Sequence, residues 1–121
     1  MKLTLRTKKT QHAYEVFKNQ RPNSSSCLFC DKKIIKKYKY WNLFVNDFPY
    51  DMVFKVHHLL APKRHVTDFM FLKPEEKKEY YELRKKFYKK YGVLLENLGS
   101  EKSIKNHFHV HLLIYRKNLK F

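Results

Sequence analysis

The sequence predicts an α+β domain built on an antiparallel sheet. Three observations predict it. Several short segments are rich in aromatic and β-branched residues, as strands are. One long segment carries a clear helical repeat. The two kinds of segment do not alternate in the strand–helix–strand rhythm of a parallel sheet. At 121 residues the chain is one domain.

The elements follow in order. Residues 1–20 carry a weak helical pattern with Ala13, Val16 and Phe17 on one side. Residues 1–26 are expected to form an N-terminal extension of no assigned role, His12 included. It ends in the turn-rich break Arg21-Pro22-Asn23-Ser24-Ser25-Ser26. After Cys27-Leu28-Phe29-Cys30 comes a basic run from Asp31 to Lys39. Tyr38 to Val45 reads as a strand. Its aromatics could be a base-stacking platform, but interleaved aromatics on a strand are more often core, and core is preferred. Residues 46–51 are a loop. Met52 to Leu60 reads as a second strand, ended by Ala61-Pro62-Lys63. Pro74-Glu75-Glu76 starts a helix, with proline at the first position and acids in the first turn. Tyr80, Leu83, Phe87 and Tyr91 then recur at spacings of three and four, and Gly92 is the expected stop. Val93 to Glu96 is a short strand, and Asn106 to Tyr115 the last one.

Composition narrows the class of protein. Twenty-seven Lys and Arg stand against 11 Asp and Glu, a net charge of +16. Hydrophobic residues make up 43%, enough for a core, so bulk disorder is excluded. No apolar stretch is long enough to span a bilayer. The first residues lack the apolar core of a secretory signal, and two cysteines cannot build a disulfide scaffold, so a cytoplasmic protein is expected. A charge of +16 favours polyanionic partners, nucleic acid among them. The excess is mostly lysine, 22 against 5 arginines, which codon bias explains equally well.

The most informative segment is His107-Phe108-His109-Val110-His111-Leu112-Leu113. Three histidines alternate with apolar residues. On a strand all three imidazoles share a face, with Cα positions stepping by about 6.6 Å. Phe108, Val110 and Leu112 then point into a core. A solvated face of three histidines is the bland alternative. Two chemistries suit the row: metal ligation by neutral imidazole, and nucleophilic attack on phosphorus to form a phosphoramidate. In the second, neighbouring imidazoles stabilise the phosphate oxygens by hydrogen bonding.

This segment resembles the motif of the histidine-triad (HIT) family, His-φ-His-φ-His-φ-φ, in full. Two further stretches agree. His57-His58-Leu59-Leu60-Ala61-Pro62-Lys63-Arg64-His65 is similar to the family's His-x-x-x-x-Pro-Lys-x-His. Cys27-Leu28-Phe29-Cys30 is similar to the Cys-x-x-Cys of zinc-containing, bacterial-type members. Their order and spacing fit one HIT-like domain over residues 27–121.

The resemblance implies an α+β fold with an antiparallel sheet of about five strands and one main helix, in a chain that pairs as a homodimer. It implies an enzyme, a nucleotide hydrolase or nucleotidyl transferase, that cleaves nucleoside-monophosphate–X through a nucleotidyl-histidine. The nucleotide is expected to be a purine one. His109 would be the nucleophile, with His111 and His57 flanking the phosphate. Asn97 would contact the phosphate region, and Asn46, with Asp47 as a competitor, the ribose. Ser103 would help polarise the leaving group, although it lies four residues before His107 where the family's hydroxyl lies three before. Cys27, Cys30, His65 and His107 would hold a structural, non-catalytic Zn2+. Free thiols, with His107 in a purely hydrogen-bonding role, are the alternative. Two further functions stay open beside the first. One is processing of a nucleic-acid 5′ end, by de-adenylation or decapping. The other is a basic, zinc-stabilised nucleic-acid-binding module without turnover.

Overall fold

A computed structural model describes residues 5–20, 29, 33–98 and 107–117. The elements are α1 (Lys8–Gln20), β1 (Ile34–Lys37), β2 (Trp41–Val45), β3 (Phe54–Pro62), a 3-10 turn (Phe69–Phe71), α2 (Pro74–Phe87), β4 (Val93–Leu95) and β5 (Val110–Tyr115). The five strands form one antiparallel sheet in the order β1-β2-β3-β5-β4. The α+β architecture expected from the sequence is therefore present. Among the described residues no helix is long and apolar enough to cross a membrane.

One face of the sheet takes α2. Trp41, Leu43, Leu60, Phe108, Val110 and Leu112 meet Tyr80, Leu83, Phe87 and Tyr91 in the main core. The period of three and four in the sequence is what aims Tyr80, Leu83 and Phe87 of α2 at the sheet, with Tyr91 following just past the helix end. The Trp41 indole N–H donates to the Glu76 carbonyl at 2.9 Å, a buried bond that pins helix to sheet. Glu76 is itself buried at 3% exposure. Its carboxylate accepts from the Lys73 amide at 2.7 Å and from Arg64 at 2.7 Å. The first bond satisfies an orphan amide at the helix start. Burial pushes the Glu76 carboxyl up, but the Arg64 and Lys73 hydrogen bonds outweigh it and hold the group below the usual range.

Several boundaries differ from expectation. The first long strand starts at Trp41, because residues 38–40 turn and the Tyr38 amide donates to the Trp41 carbonyl at 2.8 Å. The basic run hides a further strand, β1, whose burial pattern is largely exposed. An edge strand of lysines leaves no apolar alternation to read. β3 continues through Ala61 and Pro62, both paired with β2. α2 ends at Phe87, and Gly92 is no left-handed cap, since no described residue has a positive φ. The Gly92 amide instead donates to the Leu113 carbonyl at 2.9 Å, leading the chain into β4. Regular pairing in the last strand starts at Val110, so His107 and His109 precede the ladder.

Candidate active site

The other face of the sheet carries the histidines. β3 and β5 pair with His57 opposite Leu113 and Leu59 opposite His111. Side chains two residues apart share a face, so His57 and His111 are diagonal neighbours. Phe108, Val110 and Leu112 fill the main core, so the alternation read from the sequence holds even where the ladder has not begun. Phe29, Phe44, Leu59 and Ala61 form a smaller apolar cluster on the histidine side.

His57, His107, His109 and His111 are all buried. Hydrogen bonds assign their tautomers. The Tyr50 amide donates to His57 Nδ1 at 3.0 Å. A backbone N–H can only donate, so Nδ1 accepts and the His57 proton sits on Nε2. His57 Nε2 lies 2.7 Å from His111 Nδ1 and donates to it. The His111 proton is thereby placed on its own Nε2. That atom is buried and has no hydrogen-bond partner among the described residues. His109 Nδ1 donates to the His107 carbonyl at 3.0 Å, which puts the His109 lone pair on Nε2. The His109 and His111 rings are 5.2 Å apart. A lone pair on His109 and an N–H donor on His111 are thus carried by adjacent rings.

Burial is the main force on His111. It disfavours the imidazolium, and the charges of His109 and Arg6 add to it, so the pKa is pushed down to about 3. The ring is neutral at every physiological pH. Burial also lowers His107, against the opposing effect of its bond to the Pro62 carbonyl.

A second pair lies at the start of the triad. His107 Nε2 donates to the Pro62 carbonyl at 2.7 Å. Its lone pair is therefore on Nδ1. The His65 ring is 4.9 Å away at 75°. Phe29, between the two cysteines in the chain, packs against the rings of His107 at 5.3 Å and His109 at 5.1 Å.

The structure thus brings together His57, His109 and His111, and separately His65 and His107. Asn46 reaches the group too, though its amide is engaged: Nδ2 lies 3.3 Å from His57 Nδ1 and 3.2 Å from His57 Nε2, and Oδ1 accepts from the Phe48 amide at 2.9 Å. Asn97 stands two residues past Leu95, the partner of His111 in the sheet. Cys27, Cys30 and Ser103 lie outside the described residues. His58 points to the opposite face, where its Nδ1 meets the Tyr91 hydroxyl at 2.6 Å. Tyr38 and Trp41 are core residues rather than a platform for bases. Sequence reasoning missed Tyr50, whose ring lies 4.5 Å from that of His57 and stacks on His111 at 5.5 Å. The one available signal was an aromatic residue in the loop that leads to His57.

No family model and no curated relative matches the sequence. Solved structures do match in fold. A hypothetical protein from Leishmania major is 20% identical with a TM-score of 0.62, over 79% of each chain. A histidine triad protein from Clostridium difficile is 19% identical with a TM-score of 0.55, over 78% of this chain and 94% of that one. A HIT family hydrolase from Legionella pneumophila is 18% identical with a TM-score of 0.57, over 79% and 97%. At these identities the likeness establishes a HIT-like fold.

Proposed function

We propose that the chain is a HIT-type nucleotide hydrolase or nucleotidyl transferase that cleaves nucleoside-monophosphate–X through a nucleotidyl-histidine. One observation carries the reading. A tautomer relay from the Tyr50 amide through His57 leaves a buried His111 N–H without a partner among the described residues, on the ring next to that of His109, whose lone pair is on Nε2. A buried donor left unpaired costs about 1–3 kcal/mol. A phosphate oxygen would supply its acceptor.

In this mechanism His109 Nε2 attacks the α-phosphorus. The P–N bond forms and the P–X bond breaks, its electron pair leaving with X. The His111 N–H hydrogen-bonds the phosphate region and keeps its proton, and where X is an amine the leaving nitrogen takes its proton from solvent. Water or another acceptor then attacks the phosphorus. The P–N bond breaks, its pair returns to His109, and the proton lost by the water goes to solvent. Fixed N–H dipoles in a buried site stabilise the developing charge without reorganising. Asn97 lies on the phosphate side in this reading, and Asn46 and Asp47 on the ribose side.

A structural zinc belongs to the proposal. The His107 ring, with its lone pair on Nδ1, lies 4.9 Å from that of His65, and Phe29, which stands between the two cysteines in the chain, packs on His107. Cys27, Cys30, His65 and His107 would complete a closed tetrahedral set. Such a site supplies stability and leaves no open position for substrate.

Mass spectrometry of the protein mixed with an adenosine phosphoramidate or a dinucleoside polyphosphate tests the reading. An adduct of one nucleotide monophosphate on His109, lost in His109→Asn with the fold intact, is the expected result. Undiminished turnover in His109→Asn refutes it. The charge of +16 favours a second reading, a nucleic-acid 5′ end as substrate. Cleavage that weakens steeply with salt would select it, and a flat salt dependence would select free nucleotides.

A further inference from the structure

The N-terminal arm reaches the histidine site through one loop. Residues 46–53 connect β2 to β3, and the 46–52 stretch carries Tyr50. From outside, the arm holds this loop at several points. The Thr7 amide donates to Asp51 Oδ1 at 2.8 Å. The Thr7 hydroxyl donates to Asp51 Oδ2 at 3.2 Å, and the Thr10 hydroxyl donates to the same oxygen. Asp51 therefore sits as an anion at the start of α1, where the helix dipole favours it. The Met52 amide donates to the Leu5 carbonyl at 3.0 Å. Arg6 Nε donates to the Phe48 carbonyl at 2.7 Å, and its guanidinium lies between the rings of Tyr14 (4.1 Å) and Tyr50 (4.9 Å). Tyr14 and Phe17 pack on Phe48 at 5.5 and 5.1 Å.

On its inner side the same loop holds the catalytic rings. The Tyr50 amide fixes the His57 tautomer, and the Tyr50 ring lies against His57 and His111. The described part of the extension, read from sequence as separate from the domain, thus stands one residue away from the atom that orders the relay.

We infer that the N-terminal arm is a working part of the histidine site and that Asp51 is a positioning residue: by latching the 46–52 loop to Thr7 and Thr10 it holds the Tyr50 amide on His57 Nδ1 and so sets the proton on His111 Nε2. The inference rests on the hydrolase reading for its kinetic consequence, but its structural consequence stands independently. An unlatched loop draws the Tyr50 amide off His57 Nδ1 and leaves the Asn46 amide, whose Nδ2 lies near both ring nitrogens, so that His57 can take either tautomer. The relay then delivers a lone pair, instead of a donor, to part of the molecules. Small displacements of such positioning groups cost about tenfold to a hundredfold in rate.

Imidazole 15N NMR on the full chain tests this, on wild type, Asp51→Ala and Asp51→Asn. Wild type should show the proton on Nε2 of both His57 and His111. Asp51→Ala should shift both toward a tautomer mixture. In turnover it should lower kcat about tenfold or more with KM within about twofold. Asp51→Asn keeps an acceptor for the Thr7 amide and should restore most of both readouts. If Asp51→Ala does not fold, Thr10→Val removes a single hydroxyl and should give an intermediate shift. Wild-type tautomers in a folded Asp51→Ala or Thr10→Val chain overturn the inference. A tautomer shift in a protein that turns over no nucleotide upholds the latch and removes only the hydrolase reading.

Discussion

Lowering the pH should destabilise the protein through His111, and the size of the effect follows from its burial. The ring is 2% exposed, so solvent does not screen it. Its pKa is pushed from the ordinary 6.5 to about 3, first by burial and then by the charges of His109 and Arg6. Between those values the unfolded chain binds a proton that the folded chain does not. Stability therefore falls as pH drops below about 6.5, with a limiting slope of about 1.4 kcal/mol per pH unit. Between pH 7 and pH 5 the loss from this ring comes to about 2 kcal/mol. His58 and His107 are lowered by burial as well and push in the same direction. The contribution of His111 is isolated by comparing wild type with His111→Asn in urea unfolding at pH 7, 6 and 5. Wild type should lose about 2 kcal/mol more than the variant over that range. Parallel losses in the two proteins would refute the argument that this imidazole is kept neutral by the fold.

Other outcomes follow from single contacts. Glu76→Ala removes the acceptor of the Lys73 amide and should cost about 1–2 kcal/mol in chemical denaturation. Because the Glu76 carboxyl is held below its usual range, this contribution is present above the unfolded carboxyl pKa and is lost as pH falls through the folded one. Tyr91→Phe takes the hydroxyl from His58 Nδ1 and should cost about 1 kcal/mol, read by the same assay. For the proposed zinc, elemental analysis should find one equivalent per chain. A chelator should lower the melting temperature, and Cys30→Ser should abolish both the metal content and the chelator effect.

Much of the fold was legible because each main element has one clear periodicity. The spacing of Tyr80, Leu83 and Phe87 specified which side of α2 is buried. The alternation in residues 107–113 specified which residues of β5 face the core, although His107 and His109 lie before its regular pairing. β1 escaped because its exposed lysines carry no apolar signal. Of the site, the histidines were legible as a group, since a row of imidazoles has no packing explanation. What holds them was not. Tyr50 acts mainly through its backbone amide, and every residue except proline has one. Asp51 and Thr7 meet across 44 positions, a contact that no local pattern announces.

The basic charge of the chain and the neutrality of its buried ring belong to one electrostatic design. In the proposed reaction a field of positive sign would draw phosphate toward the site. The same field opposes a proton on a nearby imidazole, and Arg6 acts on His111 in that sense. A protonated His111 would carry hydrogen on both nitrogens and could not accept from His57 at Nδ1. The relay ordered by the Tyr50 amide would then break at its second link. Cations set outside the relay, as Arg6 is behind the Tyr50 ring, favour the anion without themselves ending the neutrality on which the proton's placement depends. The lysine excess read from composition alone is ambiguous between partner binding and codon usage. The charge of Arg6 has a definite consequence, because it bears on a group whose protonation state decides what the site can donate.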